Sequence, residues 1–392
     1  MKLLVLTPRV PWPLEKGDKL RAWHQIRILS RSNKVCLCCL SDGPVDPRAV
    51  EHLSEVVDEL HIIELNRFSI GLNLLFAAFS SRPYQVHYFY QSGAARRIRN
   101  IVKDFKPDHI YCQLIRASEY VKHIHHISKT LDYMDAFNAG HSRRLEHAVW
   151  YMKPLLREEA KRLARYENLI FDYFDHHTII SAQDRELIFH PRRNSIDVVP
   201  NGVDTEYFSR PAAQEFHPVM LFTGNMGYPP NVDCAVFLAK DVMPLIWEKY
   251  PDVKLVIAGA NPAASVERVS SEKVEVTGWV EDIRACYHHA GIFLAPMRIG
   301  TGLQNKILEA MSCGVPCITS SLAAGALGVE QGKECLIADD AKQVADCAIK
   351  LLESPDLRNS LSQNAHEMVR SRYSWESSVQ ILEEIFARST AR

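Results

Sequence analysis

Residues 298–320 read RIGTGLQNKILEAMSCGVPCITS. The run Ile292–Ala295 just before them is short, aliphatic and closed by Pro296, which reads as a buried strand. Gly300, Thr301 and Gly302 then make a tight turn, and helical periodicity holds from Leu303 to Ser312 until Gly314 and Pro316 stop it. At about 100° per residue, Asn305, Lys306 and Glu309 share one face while Ile307, Leu308 and Met311 take the opposite one. A strand, a glycine turn and a helix of this kind form a unit of a parallel α/β sheet. The helix start carries unpaired N–H groups and a partial positive charge, and the glycines let an anion approach that backbone. Glu309 lies about 10 Å further along the axis, at roughly 1.5 Å per residue, within reach of a ribose if a pyrophosphate occupies the turn. An amphipathic helix with a solvated polar face fits the same geometry.

Outward from this unit, the chain repeats one scheme. Strands are expected at Lys2–Leu6, Lys34–Leu40, His61–Leu65, His109–Gln113, Thr130–Met134, His177–Ser181 and Asp197–Val199, with helical patterns such as Asp18–Ser32 and Arg143–Asn168 between them. Further strands are expected at Val219–Thr223, Lys254–Ala258, Val274–Thr277, Ile292–Ala295, Cys317–Thr319 and Cys335–Ala338. Strands spaced by helices imply parallel sheets covered on both faces. Thirteen strands overfill one comfortable open sheet, so two doubly wound, Rossmann-like α/β domains are expected. Pro200 and the Asn201-Gly202 pair mark the joint, giving a first domain over 1–195, a second over 196–372 and a terminal helix over 373–392. In that helix Trp375, Val379, Leu382 and Phe386 form a stripe that must be buried, against the second domain or back across to the first.

The formal net charge of −1 leaves no electrostatic footprint for nucleic acid. Between Lys2 and Pro8 the apolar run is too short for an export signal, and the ten cysteines are expected to be reduced thiols of a cytoplasmic protein. Cys36 and Cys39 have C-x-x-C spacing but lie in a strand pattern that points them to opposite faces, and His123–His126 has no second ligand cluster beside it, so no metal is expected. No stretch is long enough to span a bilayer. The nearest, FSIGLNLLFAAF at Phe68–Phe79, is expected to be a buried helix, with a membrane-surface patch as the alternative. A dinucleotide-binding class would need G-x-G-x-x-G after the first strand, where this chain has TPRVPWPLEKG.

The segments VVPNGVD (198–204), GWVEDIRACYHHAGIFLAP (278–296) and GTGLQNKILEAMSCGVPCI (300–318) resemble, in order and spacing, the C-terminal half of glycosyltransferase family 4. PWPLEKGDKLRAWHQIRILSR (11–31) resembles the acceptor-side loop and first helix of the same enzymes. Sugar transferases of bacterial exopolysaccharide clusters are the subgroup it looks most like. The resemblance implies the GT-B fold, two Rossmann-like domains facing across a cleft. It also implies a retaining, metal-free transfer from a UDP- or GDP-sugar, with no cofactor, to a saccharide or lipid-linked saccharide, and for a lipid-linked acceptor a peripheral membrane contact.

By the family pattern, Glu309 matches the second glutamate of Glu-x7-Glu and would bind ribose, the backbone around Val280 would meet the base, and Gly17 would approach the leaving phosphate. Gly300, Gly302 and Leu303 fall in the donor turn. Two departures stand out. Thr301 replaces the first glutamate, and FTGNMGYPPN (222–231) has Asn225 and Pro230 where an arginine and a lysine are common. Arg298 and Lys306 are therefore expected to neutralise the diphosphate, with a plain surface arginine as the alternative for Arg298. Asp132 and Asp135 fall at a strand end, where open-sheet sites lie. Asp135 is expected to position substrate, or to cap a helix, and Asp132 and Arg21 to contact the acceptor. Competing classes are a non-catalytic nucleotide-sugar-binding scaffold, supported by Thr301, and a nucleotide-sugar epimerase.

Overall fold

The structure, a computed structural model, describes residues 1–14, 16–138, 150–210, 216–299 and 303–390. All thirteen expected strands are found among them, β1 (Lys2–Thr7) to β13 (Leu336–Ile337), and they form two all-parallel sheets. The first has the order β3-β2-β1-β4-β5-β6-β7, where β2 is Lys34–Ser41, β3 Glu59–Glu64, β4 His109–Gln113, β5 Ser128–Asp132, β6 His176–Ile179 and β7 Asp197–Val198. The second has the order β10-β9-β8-β11-β12-β13, where β8 is Val219–Thr223, β9 Lys254–Ala258, β10 Val274–Gly278, β11 Ile292–Ala295 and β12 Cys317–Thr319. Central strands carry unbroken aliphatic runs because helices cover both faces; Leu3, Leu4 and Leu6 of β1 and Ile292 and Leu294 of β11 have no exposed surface.

The chain divides into two compact units, 1–200 with 378–392, and 201–377. In each sheet the first strand lies between the next one in sequence and a later one, β1 between β2 and β4, β8 between β9 and β11. Between β8 and β11 the order of the second sheet reverses, and the loops leaving the carboxyl ends of such a strand pair open the crevice where ligands bind.

The terminal stripe is buried as its spacing requires: Trp375, Val379, Leu382 and Phe386 are all inside. Trp375 packs on Gly202, where a Cβ would stand 2.5 Å from its backbone. Phe386 stacks near His109, with ring centroids 4.6 Å apart, so the end of this helix belongs to the first unit.

One expectation is overturned. Phe68–Phe79 does form a helix, α-helical over Arg67–Ala77, but it is not buried: Phe68, Leu72, Leu75, Phe76 and Phe79 are exposed, and only Ile70 and Ala77 face inward with little surface. Its hydrophobicity exceeds what the small helix Tyr84–Phe89 against it can cover.

Candidate functional site

Three strands of the second sheet end in glycine at their carboxyl edge. The Gly224 N–H donates to Ala258 O and the Gly259 N–H to Gly278 O, each at 3.0 Å, which carries the sheet pairing one residue beyond the strands. Gly259 has φ +141, and a Cβ on it would lie 1.8 Å from Gly224 O; Gly224 itself has φ +152. No side chain fits between these turns, so the edge beside β8 is bare backbone.

Helix α1 (Asn305–Ser312) follows β11 across the switch point, and its start agrees with the sequence pattern to within two residues. Its faces divide as the spacing demands: Ile307, Leu308 and Met311 are fully buried, while Asn305, Lys306 and Glu309 are partly open. Gly300, Thr301 and Gly302 lie outside the described residues, and Leu303 packs half-buried at the margin of the second core.

Lys306 turns back under β8. Its Nζ donates to Asn231 Oδ1, lies 4.9 Å over the Phe222 ring and would be 3.3 Å from a Cβ on Gly224. Asn231 in turn donates Nδ2 to Asn225 O at 3.0 Å, and Asn225 Oδ1 accepts from Gly227 N at 3.0 Å, so the two asparagines shape the loop above the ammonium. Burial lowers the Lys306 ammonium from the ordinary 10.5 to about 8, against the opposing pull of the Glu309 carboxylate. The Cys234 thiol is itself pushed up to about 12 by burial and stays neutral at pH 7. A cation is thus held beneath a glycine turn by a neutral amide and a ring face.

Glu309 is fixed by a residue the sequence reading passed over. The Tyr287 hydroxyl donates to Glu309 Oε2 at 2.8 Å, and Thr223 Oγ1 lies 2.8 Å from the same hydroxyl. Because the single phenolic proton serves the carboxylate, Thr223 is the donor of the second bond. Burial raises the Glu309 carboxyl above its usual range, while the bond from Tyr287 and the charge of Lys306 pull it back down. Tyr287 is wholly buried, and its helical spacing in IRACYHH looks the same as that of a plain core aromatic.

Arg298 is engaged with protein. Its Nε and Nη2 donate to the two oxygens of Asp233 at 3.0 and 2.6 Å, and the guanidinium lies 4.3 Å over Phe237. Val280 follows β10 by two residues and is half-buried, while its neighbour Trp279 stands 72% exposed on the carboxyl edge of the sheet after Gly278, whose φ is +66. An exposed indole at this edge offers a stacking face that the sequence reading did not single out.

In the first unit, Arg21 and Asp132 do come together, but not as acceptor ligands. Both side chains have no exposure. Arg21 Nε donates to Asp132 Oδ2 at 2.8 Å, and Tyr111 OH and Thr178 Oγ1 donate to the same carboxylate, each at 2.9 Å. This closed network ties the first helix (Gly17–Leu29) to β4, β5 and β6. The sequence placed Asp132 at a strand end and could not show that the strand is central and covered. Asp135, three residues further on, is exposed. Gly17 opens the first helix, and a Cβ there would meet nothing within 4 Å. The N-terminal sheet also holds a group able to share a metal ion, Cys36, Glu59 and His61, whose ligand atoms lie within 4.8 Å of one another. It sits on β2 and β3 and is not part of the site around Lys306.

The chain is similar in sequence and in fold to known proteins. Residues 217–354 match the family described as glycosyl transferases group 1. A Klebsiella pneumoniae relative, an uncharacterised 44.6 kDa protein in the cps region, is 23% identical over 95% of this chain and 96% of its own length. A phosphatidyl-myo-inositol mannosyltransferase of Mycobacterium leprae is 28% identical over 45% of this chain, which spans about half, 49%, of that relative. Among solved structures, Anabaena Alr3699/HepE in complex with UDP and glucose superposes with a TM-score of 0.67 at 14% identity, over 99% of this chain and 100% of that one.

Proposed function

We propose, from the premise that this chain is a group 1 glycosyltransferase of the GT-B fold, that it moves a sugar with retention from a UDP- or GDP-sugar to a saccharide or lipid-linked saccharide in the assembly of a cell-surface polysaccharide, on the cytoplasmic side. The observation that carries this reading is the pairing of Lys306 with Glu309 on one helix at the switch point: an under-compensated buried cation beneath bare glycine backbone, and a carboxylate fixed at one oxygen. The cps-region relative supports a polysaccharide role, and the UDP complex of the Anabaena protein supports the donor class.

In this reading the diphosphate lies over Gly224 and the start of α1. Lys306 neutralises it, joined by the open side of the Arg298 guanidinium, and Oε1 of Glu309, which has no hydrogen bond among the described residues, accepts the ribose hydroxyls. The base lies along the backbone at Val280. Negative charge grows on the leaving phosphate as the glycosidic bond breaks, and preorganised donors there lower the barrier. The acceptor hydroxyl attacks the anomeric carbon and its proton passes to the departing phosphate oxygen, so no separate protein base is required. Thr301 supplies a hydroxyl to the donor sugar in place of a carboxylate, Asn225 shapes the phosphate loop, and Gly17 and Asp135 serve the approach and positioning of substrate.

Calorimetry with a panel of UDP- and GDP-sugars, followed by assay of nucleotide release with and without saccharide acceptors, tests the reading. Binding of one donor with acceptor-dependent release is expected; a flat response to the full panel, or binding with no release under any acceptor, refutes it.

A further inference from the structure

Three side chains of metal-ligating type converge on β2 and β3 of the first sheet. The two strands pair in parallel, with Cys36 opposite Glu59 and Cys38 opposite His61. Residues two apart on a strand share a face, so Glu59 and His61 stand together beside Cys36. The pairing is pinned where it begins: the Asp58 N–H donates to Val35 O at 3.0 Å, and the Val35 N–H donates to Asp58 Oδ2 at 2.8 Å. His61 Nε2 lies 3.3 Å from Glu59 Oε2, and the thiol, the imidazole and the carboxylate each bring a ligand atom within 4.8 Å of the other two. Among the described residues this is the one such grouping of three cysteine, histidine or acidic side chains. The C-x-x-C spacing contributes nothing to it: Cys39 takes the opposite face, and the further ligands come from the neighbouring strand.

The chemistry of the three groups suits one ion. A thiolate, an imidazole and a carboxylate are the ligand types of Zn²⁺, which binds them at about 2.0–2.3 Å in a tetrahedral array, with ligand atoms about 3.5 Å apart. Small side-chain rotations close the present spacing to that value. Cys36 is fully buried, whereas Glu59 is exposed and His61 is half-open. The sulfur therefore forms the floor of the site, an ion enters from solvent over the other two groups, and water takes the fourth position. Thiolate and carboxylate together neutralise a divalent cation, and the thiol proton passes to solvent on binding. Magnesium and calcium, which take oxygen ligands, do not suit a sulfur floor. A buried cysteine alone behaves as a small hydrophobe; here a histidine and a carboxylate converge on its sulfur.

We propose that Cys36, Glu59 and His61 bind one Zn²⁺ ion, which clips the edge strand β3 to β2. In the sheet order β3 is terminal and has a paired neighbour on one side only, so a bond across this pair secures the strand that the ladder holds least. Cys36 and Glu59 lie near the amino ends of their strands, whereas ligands of open parallel sheets bind beyond the carboxyl ends. The ion is structural, takes no part in sugar transfer and does not depend on the donor site of the second unit.

The test takes the full chain, stripped of metal with a chelator and kept reduced, and titrates it with Co²⁺ as a coloured stand-in for Zn²⁺. One equivalent of Co²⁺ should give a thiolate charge-transfer band together with four-coordinate ligand-field bands, and Zn²⁺ should bleach both. Cys36→Ser should abolish the charge-transfer band. His61→Ala and Glu59→Gln should each weaken Zn²⁺ binding about tenfold or more, since loss even of outer partners does so at metal sites. Cys347→Ser, in the second unit, should change neither band nor affinity. The side chains of His61 and Glu59 are open to solvent, so their variants keep the test alive if the serine variant fails to fold. Zn²⁺ should raise the melting temperature of the wild type and not that of His61→Ala, because an ion that binds the folded state stabilises it by mass action. Absence of the charge-transfer band, a band that survives Cys36→Ser, or equal Zn²⁺ affinity in the wild type, His61→Ala and Glu59→Gln overturns the site. Nucleotide binding should be the same with and without the ion, and a nucleotide affinity that requires Zn²⁺ overturns the structural role.

Discussion

Replacing Lys306 by methionine should leave the protein at least as stable and cripple its handling of a donor. The stem packs on Phe222, and methionine preserves much of that volume while removing the ammonium. Holding the ammonium in this site moves its titration from 10.5 to about 8; at 1.36 kcal/mol per pH unit, the folded protein forgoes about 3 kcal/mol at neutral pH. Asn231 Oδ1 loses its donor in the variant, which takes back about 1–3 kcal/mol. The net expectation is a variant as stable as the wild type or up to about 2 kcal/mol more stable. Donor turnover should fall about 100-fold, equivalent to roughly 3 kcal/mol of lost charge stabilisation. The pH profile supplies an independent check. Above about pH 8 the unliganded lysine is neutral and must take up a proton to meet a diphosphate, so wild-type affinity for a nucleoside diphosphate should fall as pH rises from 8 to 9.5, about tenfold per unit at the limit. The methionine variant should be flat over that range. In the same window the unfolded chain keeps its lysine protonated while the folded one does not, so wild-type stability should gain from rising pH. Thermal melts and calorimetry at pH 7, 8, 9 and 9.5 measure all of this. A variant with lower stability and unchanged affinity, or a wild type with pH-independent affinity, would refute the assignment of Lys306 to the phosphate.

Tyr287→Phe removes the bond that fixes Glu309 and should raise the donor KM about tenfold while kcat changes little, in line with one lost hydrogen bond to a charged group. Because that bond pulls the raised Glu309 carboxyl downward, its loss lifts the titration further, and the acid-side fall in donor affinity should begin at a higher pH in the variant; coincident acid limbs would count against the ribose role. Gly259→Ala puts a Cβ 1.8 Å from Gly224 O at φ +141 and should cost about 3 kcal/mol or more, roughly 10 °C in melting temperature. Gly17→Ala meets nothing within 4 Å and should melt like the wild type, so a drop in transfer there would reflect contact with substrate. Arg21→Met strands the Asp132 carboxylate in the core and should destabilise by about 3–5 kcal/mol; calorimetry on the folded fraction should show unchanged donor binding, and an unaltered melting curve would contradict the structural role.

Much of the fold was legible because buried parallel strands announce themselves. The runs VMLFT and IFLA have no polar face to mislead the reading, and β8 and β11 fall on the expected residues. Boundaries slipped where a strand end carries chemistry: β5 is Ser128–Asp132 and not Thr130–Met134, since the apolar count continues through Tyr133 and Met134 after the ladder has ended. The helix of Lys306 and Glu309 was legible for a similar reason, as its two faces differ in kind. Misreadings arose where one pattern has two physical outcomes. The apolar run at Phe68–Phe79 is compatible with a core helix or a surface one, and local sequence does not count how many partners are left to cover it. Asp132 at a strand end could serve a ligand or a buried ion pair, and the choice rests on Arg21, 111 residues away in sequence.

By itself the sequence determined the repeating strand–helix alternation, the glycine-opened turn before an amphipathic helix, and the presence of a cation and a carboxylate on that helix, because these follow from spacing within one segment. Only the tertiary structure decided which charges are available. Lys306 is turned in against Asn231 and the Phe222 ring, Tyr287 locks Glu309, and Asp233 occupies Arg298. Those outcomes depend on which distant residues share a low-dielectric space, and desolvation is a property of the folded surroundings that no local pattern carries.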